Sequence, residues 1–584
     1  MCSIIGYYGK NLAAPILVKG LEKMEYRGYD SVGVATKSDN QIKVKKGVGK
    51  VIEVNNAIQL DDLPGETGIG HTRWATHGKV TDTNAHPHSS NSGKIAIVHN
   101  GIIENFQELK DGLVSDGYNF QSDTDTEVIA NLIQKNFEKT SDIKQTIIDT
   151  VSNLKGHYAF VVIFENGTLA AARFHEPLIV GVGKNSHYLS SDVLGFIERT
   201  DDAIYIDNRD FVIVNDDGLE IFNFDGIKVK RQITKVSKEF ADVYKGDYAH
   251  YTLKEISEQP QTILRAGDKE KIDEIVNHMK NSKTLYITGS GTSYNSSRIA
   301  KYLMSKYAKL NIEPIISSEL QFAPDTIQND STLIAISQSG ESADVLEAVR
   351  IAKESNAKIL SIVNHLNSSL SQESDVVVGL NCGPEIGVAA TKSFTSQLAI
   401  LYKITDNLCN GAMKPDWEQV SNSISETLEN HSKIQDLAKQ LKEVRDIYVL
   451  GRGIHFPIAK EAALKLKELT YIHAEAIPGG ELKHGPLALM DEHVFVVIIN
   501  PDDSTYTDTI NSANEIKARG AKIIGISDKK SQVYDYWIET PKVDESLYPL
   551  VEIIPIQLLA YYSAIEKDSD PDYPRNLAKS VTVK

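Results

Sequence analysis

One unit occurs twice in the second half of the chain, and it limits the possible folds more than any other feature. The first copy runs from Thr284-Leu285-Tyr286-Ile287-Thr288 into Gly289-Ser290-Gly291 and a helical pattern, with later apolar runs at Leu333–Ile336 and Lys358–Val363. The second runs from Ile447-Tyr448-Val449-Leu450 into Gly451-Arg452-Gly453 and a helical pattern, followed by Val494–Ile499 and Lys522–Ile526. Repetition at this scale governs how every later motif is read. Near-continuous apolar strands alternating with helices indicate parallel sheets covered on both faces, the α/β doubly wound (flavodoxin-like) arrangement. Ligands in such folds bind beyond the C-terminal ends of the strands, which directs attention to residues 289–293 and 337–342.

The first part of the chain has another texture. Short strand-like runs such as Lys94–His99 and Ala159–Phe164, set among turns and amphipathic stretches, read as α+β. A polar, charged stretch from Asp225 to Asp247 reads as a linker, and residues 254–280 as helical. The division expected is 1–220, a linker at 221–250, two doubly wound domains at 251–430 and 431–574, and a tail at 575–584.

The formal net charge of −17 excludes nucleic-acid and anionic-membrane partners that need a basic surface. Only Cys2, Cys382 and Cys409 are present, too few for a disulfide framework, which points to a reducing, cytoplasmic setting. The N-terminus lacks the basic and apolar regions of a signal peptide. No apolar run reaches the roughly 18 residues that span a bilayer.

If Met1 is removed, Cys2 carries a free α-amine beside its thiol, so one residue supplies both nucleophile and base. Position alone does not separate that role from a small buried hydrophobe. The segment His71-Thr72-Arg73-Trp74-Ala75-Thr76-His77-Gly78 adds an arginine suited to a substrate carboxylate. Asn100-Gly101, after a strand, can offer an amide and a backbone N–H to an oxyanion. Asp125 can hold a substrate ammonium group or cap the helix that follows it. His71, His77, His86, His88 and His99 invite a zinc reading, but no cysteine or carboxylate shares a ligand spacing with them, and no metal is expected.

In the repeats, Ser337-Gln338-Ser339-Gly340-Glu341-Ser342 follows a buried strand and precedes a helix, and Ser290-Gly291-Thr292-Ser293 repeats the arrangement. Hydroxyls and helix N–H groups can hold a phosphate, or the serines can serve as helix caps. Nucleotide cofactors are not indicated: Tyr294 and Phe456 stand where a dinucleotide fingerprint needs its third glycine, and no P-loop occurs. Lys465 and Glu468, three residues apart, read most simply as a surface ion pair. The helix they share leads to Gly479–Pro486, where His484 has a side chain suited to proton transfer.

Taken together, the His71–Gly78 segment, Tyr26-Arg27-Gly28-Tyr29-Asp30-Ser31, the serine loops and Pro574–Lys584 resemble the glucosamine-6-phosphate synthase family. The resemblance covers essentially the whole chain. It implies an N-terminal-nucleophile (Ntn) hydrolase domain that releases ammonia from glutamine, followed by two sugar isomerase (SIS) domains that act on fructose 6-phosphate. It further implies Cys2 as nucleophile, Asn100 and Gly101 as oxyanion hole, Arg73, Thr76, His77 and Asp125 as glutamine ligands, and Trp74 as a gate. On the sugar side, Lys579 would form a Schiff base, Glu468 would move a proton between sugar carbons, and His484 would assist ring opening from a neighbouring subunit of a homodimer. Lys465 would lie nearby. Thr292, Ser337, Gln338 and Ser339, with Ser290, Gly291, Ser293, Ser342 and Val388, would line the sugar-phosphate pocket. The chain departs from the family pattern at Ser3 (usually Gly), Ser290 (Cys), Ser342 (Thr) and Ala390 (Ser). Glutamine amidotransferases with other acceptors, and a sugar-phosphate-binding regulator without chemistry, are the rival readings.

Overall fold

The computed structural model describes residues 2–75, 77–236 and 245–582. The chain forms two compact units, Met1–Val243 with Ala578–Lys584, and Tyr244–Leu577.

The first unit is built on two antiparallel sheets. The larger runs in the order Ile233–Lys235, Asp202–Tyr205, Ile179–Val182, His187–Ser190, Ser3–Tyr8, Thr67–Arg73, Ser31–Ser38, Gln41–Val48. The smaller runs Gly218–Asn223, Asp210–Asn215, Leu169–Phe174, Gly156–Phe164, Ile95–Ile103, His88–Ser89. Strand side chains alternate between faces, and the sequence uses both. Ala96 and Val98 join Ile4, Ile69, Val161 and Leu189 in the layer between the sheets. Ile95 and Ile97 point the other way, onto Val128, Ile133 and Ile147 of the helices Thr126–Thr140 and Ile143–Asn153. Helix Ala13–Met24 buries Leu17 and Leu21 against the larger sheet, where a Cβ on Gly20 would sit 2.4 Å from Ile5 Cδ1. Part of the stretch read as linker is sheet: Ile233–Lys235 pairs with Asp202–Tyr205, and Arg231 bonds Asp210 at 2.7 Å just before it. Within that stretch, 237–244 lie outside the described residues.

The second unit holds two five-stranded parallel sheets of identical order. One runs Ile312–Ile316, Thr284–Gly289, Ser331–Ser337, Lys358–Val363, Val376–Gly379; the other His473–Pro478, Asp446–Gly451, Phe495–Ile499, Lys522–Ser527, Tyr536–Glu539. The duplication extends to single glycines. A Cβ on Gly289 would lie 2.8 Å from the Ser293 backbone, and one on Gly451 would lie 2.3 Å from His455 O. Each first glycine therefore lets the helix start close against the strand. Gly291 (φ +52°) and Gly453 (φ +58°) both take the left-handed conformation that turns the chain into that helix.

A single apolar core runs through both copies, from Ile299, Ile336 and Leu398 to Ile458, Val497 and Ile554. It contains the one correction to the hydropathy reading. Glu545–Glu566 is 22 residues long and contains an 18-residue window of mean hydropathy 1.2, enough by length and composition to cross a membrane, but 89% of that window is buried. Burial on all sides is the reason it is apolar all round.

The second repeat also carries a buried charge cluster. His455, fully buried, places Nδ1 2.9 Å from Glu552 and Nε2 2.8 Å from Asp503. Burial alone would lower the imidazole pKa; Glu552 and Asp503 outweigh it and hold it up at about 10. A raised pKa means that the cation's contribution to stability is complete below the ordinary value of about 6.5 and is lost as pH rises through about 10. His455→Ala leaves two buried carboxylates without their cation, and an expected cost of about 3–5 kcal/mol should appear as a lower urea midpoint at pH 7. The gap between variant and parent should narrow toward pH 10.

Candidate active sites

Cys2 stands at the head of the central strand Ser3–Tyr8, whose register places Ser3 opposite Thr72. Its Sγ accepts the Trp74 backbone N–H at 3.1 Å. Its carbonyl accepts from Asn100 Nδ2 at 3.1 Å and from Arg27 Nε at 3.4 Å. Arg27 is itself fixed by a buried ion pair with Asp192 at 3.3 Å, and Tyr26 donates to the same carboxylate at 2.7 Å. The nucleophile candidate is thus held by both its sulfur and its backbone. Burial pushes the Cys2 thiol pKa up, with the charged N-terminus, the Trp74 N–H and Arg73 opposing the rise.

Asn100 is oriented from behind. His71 Nε2 lies 3.0 Å from His99 O and 3.2 Å from Asn100 Oδ1. Both neighbours are acceptors, so Nε2 carries the hydrogen and the Asn100 amide can face only one way. Its nitrogen has two hydrogens; one goes to Cys2 O and the second is available to an oxyanion. Gly101 (φ +109°) follows, and any Cβ there would lie 2.0 Å from His157 O.

A pocket gathers Cys2, Arg73, Trp74, His77, Gly101 and Asp125. Thr76 lies outside the described residues. Arg73 donates to Lys79 O at 3.2 Å and to the carbonyls of His77 and Gly78, so it shapes the loop as well as lining the pocket. Asp125 occupies the N-cap position of Thr126–Thr140 but makes no side-chain cap bond. Its carboxylate instead accepts the Ile103 N–H at 2.8 Å, which corrects the simple capping alternative. His86, His99, Thr124 and Thr126 also line the pocket, although the sequence reading gave them no role there.

His71, His86, His88 and His99 pack as neutral rings. His71 stacks on His86 at 4.1 Å, and His86 meets His88 edge-on at 4.7 Å. Burial pushes the His71 pKa down to about 3 and lowers those of His86, His88 and His99. Among the described residues, no group of three or more His, Cys, Asp or Glu is placed to hold a metal ion.

In the second unit, Thr284–Gly289 and Ser331–Ser337 are adjacent parallel strands, so the loops at 290–293 and 337–342 leave the same sheet edge side by side. Ser337 Oγ accepts the Gly340 N–H at 3.0 Å and lies 3.3 Å from Ser342 Oγ; Ser339 Oγ accepts the Glu341 N–H at 3.1 Å. Gly340 (φ +68°) lets this loop curl, and its hydroxyls stay at the mouth of the helix Ala343–Glu354. Ser342 is that helix's N-cap residue without a side-chain cap bond. Gln338 is half-buried beside them. Ser293 turns inward, accepting from Gln397 Nε2 at 3.1 Å, while Ser290 is half-buried and Gly291 exposed.

Lys465 is not a surface residue. It is fully buried, 3.3 Å from Glu461 and bonded to Glu468. Burial would lower its pKa, but Glu468 and Glu461 hold it up at about 12. Glu461 also accepts from Thr292 Oγ1 at 2.9 Å and Asn295 Nδ2 at 2.8 Å, tying the first repeat's helix to the second's. Glu461 was missed, though it lies four residues before Lys465 on the same helical face. The Glu468 side chain is 20% exposed where those of Glu461 and Lys465 are at 0%, so Glu468 is the member of the trio that a ligand can reach.

Val388 sits in a buried loop, its N–H donating to Asp572 O at 3.2 Å. His484 ends the short turn Gly479–His484 and is exposed. Lys579 belongs to the first unit and Glu468 to the second.

Comparison with known proteins matches the SIS domain family at residues 278–404 and 440–567, and the glutamine amidotransferase domain family at 71–197. The chain is 42% identical over 598 residues, covering 100% of both chains, to glutamine--fructose-6-phosphate aminotransferase [isomerizing] of Pyrococcus horikoshii. It is 41% identical over 603 residues, again 100% of both, to the protein of the same name from Thermococcus kodakarensis. Among solved structures, the C-terminal domain of glucosamine-fructose-6-phosphate aminotransferase from Francisella tularensis aligns with a TM-score of 0.52 at 36% identity, covering 56% of this chain and 100% of that one.

Proposed function

The chain belongs to the glutamine--fructose-6-phosphate aminotransferase (isomerizing) family, and from that premise we propose how its residues divide the reaction. The enzyme hydrolyses glutamine and uses the ammonia to convert fructose 6-phosphate into glucosamine 6-phosphate, the entry into amino-sugar synthesis. The observation that carries the reading is the pocket in which Cys2, Arg73, Trp74, His77, Gly101 and Asp125 converge.

With Met1 removed, the Cys2 amine takes the thiol proton and the thiolate attacks the side-chain carboxamide carbon of glutamine. Asn100 Nδ2 and the Gly101 N–H hold the resulting oxyanion. Arg73 and Asp125 read the α-carboxylate and α-ammonium ends, with Thr76 and His77 completing the ligand set. Ammonia leaves and water then releases glutamate from the thioester. At the other centre, Ser337, Gln338, Ser339 and Thr292 hold the phosphate through hydroxyls, an amide and helix N–H groups, which suits an acidic protein. His484 of a second subunit opens the sugar ring, Lys579 condenses with the ketone, and ammonia displaces it. Glu468 then carries a proton from C1 to C2, with Lys465 setting its charge. We place the enzyme in the cytoplasm as a homodimer that needs neither metal nor organic cofactor.

The test is a paired product count. With glutamine and fructose 6-phosphate together, glutamate and glucosamine 6-phosphate should form in equal amounts. Glutamate formed without amino sugar would overturn the acceptor assignment.

A further inference from the structure

We propose that Asp572 is a positioning residue, the clasp of a strap that sets where the C-terminal tail leaves the second unit and so couples sugar binding to the chemistry of Lys579. The proposal rests on the Lys579 role given above and concerns a residue to which that role assigns nothing.

The strap is Asp570–Arg575, and it is fastened at both ends. Asp570 Oδ1 accepts the Asp572 N–H at 3.0 Å and the Tyr573 N–H at 3.3 Å, which forces a tight turn. The Asp572 carboxylate, 4% exposed, accepts from Tyr251 N at 2.8 Å, Thr252 N at 2.8 Å and Thr252 Oγ1 at 2.9 Å. The same hydroxyl lies 2.9 Å from Pro571 O. At the other end the Arg575 N–H donates to Tyr471 Oη at 2.7 Å, and its guanidinium lies 4.1 Å over that ring. Tyr471 (φ +58°) terminates the helix His455–Thr470 that carries Lys465 and Glu468.

Three features make this more than local packing. Asp572 O accepts the N–H of Val388 at 3.2 Å, in the loop assigned to the sugar pocket. The helix it clasps, Tyr251–Ser257, grips the same loop again, with Glu255 accepting the N–H groups of Ile386 and Gly387. The described part of the second unit begins at 245 and ends at Leu577. Asp572 bonds residues 251 and 252, near its beginning, and itself stands just before its end. One buried residue therefore joins the start of the tail to Tyr251 and Thr252 through its carboxylate and to the sugar loop through its backbone carbonyl. Lys579 lies seven residues beyond it, so the clasp fixes the start of the short tether that carries the amine. A buried carboxylate accepting several N–H groups is held far more firmly than a surface contact.

The experiment compares Asp572→Ala with the parent enzyme, using glutamine with and without fructose 6-phosphate. Glutamine hydrolysis without sugar should stay within about twofold, because that centre lies in the other unit, whereas amino sugar formed per glutamate should fall at least about fivefold. Borohydride trapping of fructose 6-phosphate on Lys579, read by mass, should fall in parallel. Asp572→Asn keeps one acceptor oxygen and should recover part of the loss. Thr252→Val, which removes only the hydroxyl donor, should shift the product ratio the same way to a smaller extent, and it serves as the deciding variant if the alanine protein fails to fold. An unchanged product ratio in a folded Asp572→Ala or Thr252→Val protein overturns the proposal. Failure of the parent enzyme to make amino sugar at all would overturn the assigned function instead.

Discussion

Replacing Cys2 by alanine is expected to abolish glutamine-driven formation of glucosamine 6-phosphate, by about 10³-fold or more, while formation driven by added ammonium salt stays close to the parent rate. In the proposed mechanism the sulfur is the atom that attacks, and its neighbours cannot substitute for it. Trp74 offers a backbone N–H, Asn100 an amide and Arg27 a guanidinium, and none of these is a nucleophile. Loss of a covalent nucleophile removes the whole acyl-transfer route, leaving only the residual effect of the oxyanion donors. The ammonia-driven rate should survive because Glu468 and Lys465, proposed to act on the sugar, belong to the other compact unit. Assays with glutamine and with ammonium chloride, side by side, check both halves of the statement. An equal fall in both rates would mean that the two centres are not separable.

Glu468→Gln should do the converse. Proton transfer by a positioned carboxylate contributes about 10²–10⁴-fold, and an amide of the same shape cannot supply it. Conversion of fructose 6-phosphate should fall by that factor while glutamine hydrolysis persists, so glutamate accumulates without amino sugar. Folding should be largely unaffected, since Lys465 keeps Glu461 as a buried counter-ion at 3.3 Å and the glutamine can still accept from it. If amino-sugar synthesis persists at more than about a tenth of the parent rate, Glu468 is not the proton carrier.

Much of this architecture could be read from residue order. The two doubly wound sheets followed from apolar strands set between glycine turns, because a buried strand must be apolar on both faces and so leaves a plain signal. The edge strands Ile312–Ile316, Val376–Gly379, His473–Pro478 and Tyr536–Glu539 went unread: Val376–Gly379 and Tyr536–Glu539 are only four residues long, Ile312–Ile316 is half exposed, and His473–Pro478 alternates polar and apolar residues. In the first unit, Cys2, Arg73, Trp74, His77 and Asp125 were found by motif, and the structure brings them to one pocket. What orients them was not visible, since His71 behind Asn100 and Asp192 behind Arg27 are joined only by folding. Lys465 shows the same limit from the other side. Helical spacing alone predicts its partnership with Glu468, but whether that pair faces water or the core depends on the helix Thr292–Leu303 packed against it.

The loop around Asp503 has a consequence for how a duplicated fold divides labour. It occupies, in the second repeat, the place that Ser337–Ser342 takes in the first, after the third strand of the sheet. There the donors that might greet a guest, the Thr505 N–H and hydroxyl, both at 2.8 Å, are answered by a carboxylate of the chain's own. In the first copy the Gly340 and Glu341 N–H groups meet neutral serine hydroxyls instead. A fixed negative charge in one loop and neutral hydroxyls in the other give two copies of one sheet opposite electrostatic preferences at the same place, without any change in the sheet beneath.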